Sequence, residues 1–217
     1  MDAAPQPRTP SPWRHKLDRA QEREIKREAV LRTAAALFNE KGYQASTLEE
    51  VAARLNVSKP TLYYYIKSKD DILFECVRIG LGMLRQAITD TSNSGGNAAD
   101  KLLAGMRKYA EIVTQDFGMC IIRVGEDPLP QAARVELRRI KAGLDHEFRE
   151  LVRQGIAEGS IRPCDPKLAA FTIAGALSWI GRWYQPQGPL SPQDAAEQVI
   201  QMLLHGLQIQ PSPKASP

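Results

Sequence analysis

The sequence predicts an all-α fold with a small helical domain followed by a larger one. Apolar residues recur at spacings of three and four along most of the chain, which is the period of helices that bury one face. Residues suited to begin a helix precede several of these segments, including Ser58 before Pro60 and Asp165 before Pro166. The segment 91–97 (TSNSGGN) interrupts the pattern and separates two groups of helices.

The first helices can be placed from residues that begin and end helices. The first helix is expected at about 19–41, because Gly42 follows it as a residue that commonly ends helices. The next begins at Thr47, whose hydroxyl fits a capping box with Glu50. The apolar positions after it have helical spacing and so lie on one face.

Residues from about 47 to 66 have the layout of a helix-turn-helix, in which the second of two short helices enters the DNA major groove. Asn56 stands at the expected turn, where φ is positive, and Asn tolerates that conformation better than most residues. Ser58 fits the N-cap of the second short helix, with Pro60 in its first turn. Leu62 would then face the first short helix.

The outward side of this second short helix has an unusual composition. It presents Lys59, Thr61 and Tyr64, which can contact phosphates or base edges, where a solvated helix would carry Glu and Lys. Between Val51 and Lys69 the chain has four basic residues and no carboxylate. The alternative is a small helical subdomain whose basic side is merely solvated.

The stretch 29–73 resembles the DNA-binding domain of the TetR/AcrR transcriptional regulators. The positions that carry the resemblance, over about residues 24–84, are Leu31, Ala34, Leu37, Phe38, Gly42, Thr47, Ala52, Val57, Ser58, Thr61, Leu62, Tyr63, Lys69 and Leu73. The chain departs from the family at Asn56, where Gly is usual, and in the run Tyr63–Tyr64–Tyr65, where many members carry a His. The second departure leaves the base preference open.

The resemblance implies a homodimeric repressor that leaves its double-stranded DNA operator when a small hydrophobic effector binds. It also implies a three-helix DNA-binding domain followed by a larger helical domain for ligand binding and dimerisation. The residues expected to bind DNA are Thr47, Ser58, Lys59, Pro60, Thr61, Tyr63, Tyr64 and Lys69. Thr47 and Lys69 fall on phosphate-contacting positions, and the ring of Tyr63 has a competing role in packing on the domain core.

The distribution of charge agrees with DNA binding. Residues 1–70 hold 13 Lys and Arg against 9 Asp and Glu, whereas residues 71–217 hold 16 of each. The whole net charge of +4 therefore lies in the part that contains the helix-turn-helix, as phosphate contacts require. Three widely spaced cysteines without a C-x-x-C motif suggest reduced thiols in a cytoplasmic protein.

Four regions are expected along the chain. They are a disordered, proline-rich tail (1–20), the DNA-binding domain (21–84), the helical ligand-binding and dimerisation domain (85–210) and a disordered C-terminal tail (211–217). The basic N-terminal tail could alternatively be an arm for the minor groove. No apolar run approaches the roughly 20 residues that a membrane helix needs, so no membrane partner is expected.

The last two helices are the expected dimer interface. Residues 167–184 are apolar nearly all round, which predicts burial on several sides. Residues 192–209 are expected to form an amphipathic helix after a short connection. Two such helices from each subunit can form a four-helix bundle across a two-fold axis. The alternative is that this pair is only a core within one chain.

Methionine and aromatic residues of the larger domain are candidates for an apolar effector pocket. They are Met83, Met106, Tyr109, Phe117, Met119, Phe148, Phe171, Trp179 and Trp183. The segment 176–191 also resembles the end segment of TetR members that control catabolism and sense acyl-CoA thioesters. An effector of that kind carries negative charge, for which Arg123 or Arg182 could be the partner.

Catalytic and metal-binding motifs are missing from the sequence. His15, His146 and His205 lie far apart, without Cys or carboxylates at ligand spacing, and no cofactor-binding motif appears. The sequence therefore favours a ligand-responsive regulator over an enzyme with an added helix-turn-helix. A structural DNA-binding protein without an effector is the other alternative.

Overall fold

The computed structural model describes residues 19–205, and this part of the chain is built from helices. The helices are α1 (Arg19–Lys41), α2 (Leu48–Leu55), α3 (Lys59–Tyr63), α4 (Lys69–Ser92), α5 (Ala98–Val113), α6 (Asp116–Arg123), α7 (Gln131–Glu158), α8 (Pro166–Trp183) and α9 (Pro192–His205). The all-α prediction is confirmed. The N-terminal tail up to residue 18 and the segment from 206 onward, including the end of the predicted helix 192–209, lie outside the described residues.

The small N-terminal group packs α1 against α2 and the start of α4. Leu31 and Phe38 of α1, Val51 of α2 and Leu62 of α3 are buried in its core. Helix α1 begins at Arg19, so the last two residues of the predicted tail are helical.

Helix α4 belongs to both groups of helices. It begins beside the helix-turn-helix and packs further along on α5, α6 and α7. Its buried residues run from Ile72 to Ile88. The predicted boundary at residue 84 therefore falls inside α4, and one buried cluster continues across it.

The short helix α6 lies between the two groups. It packs on α1, α4, α5 and α8. A β-carbon on Gly118 would lie 1.9 Å from the Ile112 carbonyl oxygen, so this glycine allows α6 to approach the end of α5. The Arg123 guanidinium donates to the carbonyls of Gly181 at 2.9 Å, Tyr184 at 2.6 Å and Asn39 at 3.3 Å. These bonds connect α6 with the ends of α8 and α1.

Helix α8 is less buried in the single chain than its sequence predicted. One side packs on α5, α6, α7 and α9, with Leu177 and Ile180 fully buried. The opposite side leaves Leu168, Trp179 and Trp183 exposed by 63, 63 and 41%. Within one subunit α8 is therefore buried on one side only, because no element of the described chain covers the other face, and its burial across a dimer interface stays a prediction.

Candidate DNA-binding surface and effector cavity

Local hydrogen bonds fix the helix-turn-helix in the way its sequence predicted. The Glu50 backbone N–H donates to the Thr47 hydroxyl at 3.2 Å, and the Thr47 N–H donates to the Glu50 carboxylate at 3.1 Å. Asn56 adopts φ 55°, and its N–H reaches the carbonyls of Ala52 and Ala53. Among residues 19–205 Asn56 is the only non-glycine residue with positive φ. This turn sets the angle between α2 and α3.

Helix α3 is short and is held in place by the Ser58 cap and the buried side chain of Leu62. The Ser58 hydroxyl accepts from the Thr61 N–H at 3.4 Å and lies 2.8 Å from the Thr61 hydroxyl. Leu62 is fully buried, whereas Tyr63 and Tyr64 are 49 and 66% exposed. Thr47, Lys59 and Pro60 are exposed and Thr61 is half-buried. The outward side of α3 is thus open to a ligand as large as DNA.

Carboxylates from neighbouring segments pair with the basic residues of the helix-turn-helix. Lys59 forms an ion pair with Glu49, and Arg54 with Glu40. The hydrogen bond from Lys59 lowers the pKa of Glu49. Exposed pairs of this kind contribute little stability, so a phosphate can replace the carboxylate beside Lys59 at low cost. The sequence between Val51 and Lys69 has no acidic residue, but in the structure carboxylates from outside this stretch neutralise part of its positive charge.

Lys69 is held at the first turn of α4, next to the turn before α2. Its ammonium donates to the Gln44 carbonyl at 3.4 Å and lies 4.3 Å from the ring centre of Tyr43. The Tyr43 hydroxyl donates to Asp70 in the same turn. These contacts fix the position of Lys69 relative to α2 and α3.

Arg23, which the sequence does not single out, lies beside the exposed side of α3. The Arg23 guanidinium lies 5.4 Å from the ring centre of Tyr64, which brings the start of α1 beside α3. Forty residues separate the two in sequence, and Arg23 belongs to an ordinary charged helix segment. No local pattern could have identified it.

The larger domain contains a cavity of about 380 Å³, within the range of small-molecule sites. Helices α4 to α8 form its wall. The lining residues are Leu81, Leu84, Tyr109, Ile121, Ile122, Lys141, Leu144, Asp145, Phe148, Ala170, Phe171, Ala174 and Ser178. Of the nine predicted pocket residues, Tyr109, Phe148 and Phe171 line it.

The other six predicted pocket residues do not line this cavity. Met106, Phe117 and Met119 are buried among core side chains, and Met83 is half-buried away from the cavity. Trp179 and Trp183 lie on the exposed face of α8. The reason is geometric, since apolar residues at helical spacing can face a core, a cavity or an interface, and sequence does not distinguish these.

The charged residues at the cavity are also different from those expected. Arg123 is committed to three main-chain carbonyls, and Arg182 donates to the Arg123 carbonyl at 3.2 Å. Neither lines the cavity, whereas Lys141 and Asp145 of α7 do. Lys141 also pairs with Glu126, which Arg138 binds at 3.0 Å.

Models of known protein families match both the helix-turn-helix part of the chain and its larger C-terminal part. Residues 30–76 match the model of bacterial regulatory proteins of the tetR family. Residues 95–207, over half of the chain, match the tetracyclin repressor-like C-terminal domain. The chain belongs to the TetR family. The resemblance seen in the sequence is confirmed, and the protein is a helix-turn-helix transcriptional regulator.

Relatives of this TetR-family protein match over most of their length. The transcriptional repressor KstR2 of Mycolicibacterium smegmatis is 27% identical over 84% of this chain and 90% of its own. The structure of the ketosteroid regulator KstR2 of Mycobacterium tuberculosis is 26% identical and superposes with a TM-score of 0.76 over 85% of this chain and 96% of that one. AibR, crystallised with isovaleryl coenzyme A and operator DNA, is 27% identical, with a TM-score of 0.72 over 82% and 97%.

Two further observations concern other kinds of site. Between residues 19 and 205, no three or more His, Cys, Asp or Glu side chains are grouped so that they could hold a metal ion. In the same range no helix is long and apolar enough to span a membrane.

Proposed function

We propose that this TetR-family protein is a cytoplasmic, homodimeric repressor that a hydrophobic effector, with acyl-CoA as the first candidate class, releases from its operator. One observation carries the proposal. Helix α4 holds Lys69 beside the helix-turn-helix at one end and lines the cavity with Leu81 and Leu84 further along. A ligand in the cavity therefore contacts α4, the helix whose first turn holds Lys69 beside the helix-turn-helix.

The DNA contacts are assigned to the exposed side of the helix-turn-helix. Thr61, Tyr63 and Tyr64 are the base-reading candidates, since Tyr63 and Tyr64 are exposed, Thr61 is half-buried and Leu62 is the buried residue among them. The backbone-positioning candidates are Thr47, Ser58, Lys59, Pro60 and Lys69. Lys59 would exchange Glu49 for a phosphate on binding.

The exposed face of α8 and α9 supports a dimer. Leu168, Trp179 and Trp183 lie exposed on one side of α8, and Met202 and Leu204 of α9 are also 56 and 52% exposed. A β-carbon on Gly175, on the same side of α8, would meet nothing within 4 Å. Large apolar side chains exposed along one side of a helix mark an interaction site, and a second copy offers a self-complementary partner.

The effector class follows from the cavity and from one neighbour. The wall is mainly apolar, with Tyr109, Phe148 and Phe171 as its aromatic members, and Lys141 can meet an anionic group. AibR was crystallised with isovaleryl coenzyme A, an acyl chain on a charged carrier. By analogy, the acyl part would occupy the apolar cavity.

The switch would work through the position of α4. A ligand that fits better when α4 is displaced favours a different spacing of the two recognition helices. The coupling cannot exceed the difference in its affinity for the two arrangements.

The test combines selection of sites from random DNA with ligand challenge. We expect a near-palindromic operator, bound with an affinity that falls steeply as salt rises. A medium-chain acyl-CoA should raise the melting temperature and release the operator. Selection without any consensus would instead favour a structural DNA-binding protein, and a consensus with no ligand response would remove the effector part.

A further inference from the structure

We propose that the Tyr109 and Ser178 hydroxyls recognise a keto or hydroxyl oxygen on the buried apolar part of the effector. This inference rests on the proposed function, because it assumes that the cavity holds the effector. It narrows the effector from a hydrophobic chain or ring to an oxygenated one.

The two hydroxyls form a neutral polar point in the cavity wall, whose other polar side chains are Lys141 and Asp145. Tyr109 of α5 and Ser178 of α8 both line the cavity, and their oxygens are 2.8 Å apart. The Tyr109 ring packs edge-on against Phe148 with 6.0 Å between the ring centres. Tyr109 is 9% exposed, so its hydroxyl is withdrawn from bulk water. Polar groups of this kind, few and precisely placed, fix the orientation of ligands in apolar sites.

The hydroxyl pair has hydrogen-bonding capacity that the protein does not use. Two hydroxyls have two hydrogens, and the bond between them uses one. In the described part of the chain neither hydroxyl has another hydrogen-bond partner. One donor hydrogen and several lone pairs therefore remain for a molecule in the cavity. Burial raises the pKa of Tyr109, so the phenol stays protonated and able to donate at neutral pH.

The hydroxyl pair is distinct from Lys141, the cationic side chain of the cavity wall. Lys141 and Phe148 are two turns apart on α7, which places them about 10 Å apart along the helix axis. Tyr109 packs at the Phe148 end. An effector can therefore direct an anionic group to Lys141 and a separate oxygen to the hydroxyl pair.

The expected selectivity is moderate. The hydroxyls bind each other when the cavity holds only hydrocarbon, so a plain chain leaves neither of them without a partner. A ligand oxygen adds one or two net hydrogen bonds, which corresponds to a preference of about tenfold.

The test compares CoA thioesters of decanoic acid with those carrying one keto or hydroxyl group at different carbons of the same chain. Dissociation constants are measured by calorimetry for the wild type and for the double variant Tyr109→Phe/Ser178→Ala, which removes both hydroxyls. The control is Tyr184→Phe, since Tyr184 is a buried tyrosine that does not line the cavity. We expect at least one oxygenated thioester to bind about tenfold more tightly than the decanoyl thioester. The double variant Tyr109→Phe/Ser178→Ala should lose that preference and keep the affinity for the plain chain, because it leaves no hydroxyl without a partner, and Tyr184→Phe should retain both.

Three results would overturn the inference, and they differ in what they imply for the proposed function. If the plain thioester binds as tightly as every oxygenated one and releases the operator, the hydroxyl pair has no role but the proposed function stands. If no thioester of either kind binds to a protein that still binds its operator, the effector class falls together with this inference. A preference that survives in the double variant also contradicts it.

Discussion

The side chain of Ile121 on α6 lies against Gly80 on α4 so closely that no residue larger than glycine fits at position 80. A β-carbon on Gly80 would be 2.7 Å from Ile121 Cδ1 and 2.8 Å from the Phe117 carbonyl oxygen. Ile121 also lines the cavity. A ligand that displaces the Ile121 side chain therefore also displaces the backbone of α4, because the two are already in close contact.

Gly80→Ala should imitate the effector. The added methyl group must push α4 away from α6, and overpacking of this kind costs about 1–3 kcal/mol of stability. We expect weaker operator binding without any ligand, measured by fluorescence anisotropy on labelled operator DNA.

Gly82→Ala on the same helix is the matched control, since its β-carbon would meet nothing within 4 Å. It should leave operator affinity unchanged. Equal operator affinity in the wild type and Gly80→Ala would argue against transmission through this contact.

Substitutions in the helix-turn-helix should separate positioning from base reading. Lys69→Ala should weaken binding to operator and random DNA alike and reduce the salt dependence by about one phosphate contact. Thr61→Ala or Tyr64→Ala should cost about 1–3 kcal/mol on the operator and change the preferred bases. Lys108→Ala in α5 controls for loss of one positive charge. The base-reading assignment fails if Thr61→Ala and Tyr64→Ala affect operator and random DNA equally.

Trp179→Glu should dissociate the proposed dimer. A charge at the centre of an apolar interface removes a large aromatic contact and must be desolvated, so the dimer dissociation constant should rise by about 30-fold or more. Sedimentation velocity measures this directly. Val135→Glu is the control, because Val135 is similarly exposed but lies on α7. Loss of the dimer in both variants, or in neither, would contradict an interface on α8.

Glu126→Gln should change the acid stability of the protein. Burial alone would raise the pKa of Glu126, but hydrogen bonds from Lys141 and Arg138 outweigh it and hold the pKa below its ordinary value of 4.5. The ionised form is therefore favoured in the folded state, and its stabilisation is present above about pH 4.5 and lost as the pH falls through the lower folded value.

We expect Glu126→Gln to lose about 1–2 kcal/mol at neutral pH, measured by urea unfolding. The difference from the wild type should shrink below pH 4.5. Unfolding curves that differ equally at neutral and acid pH would show that the effect is not electrostatic.

The helix-turn-helix could be predicted because its signals are local. Capping at Thr47, the left-handed turn at Asn56 and the N-cap at Ser58 each involve residues within four positions of one another. The cavity could not be predicted in the same way. Tyr109 and Ser178 meet across 69 residues, and Phe117 and Phe148, both buried aromatics in helices, end in the core and in the cavity wall respectively.

The sequence by itself determined the order of the helices, the DNA-binding motif and the family, since hydrophobic period and helix caps act over a few residues. Only the tertiary structure decided that Lys141 and not Arg123 faces the cavity, that Glu49 pairs with Lys59, and that Trp179 is left uncovered. These outcomes depend on which helix faces meet. Packing between distant segments selects among faces that the local sequence leaves equivalent.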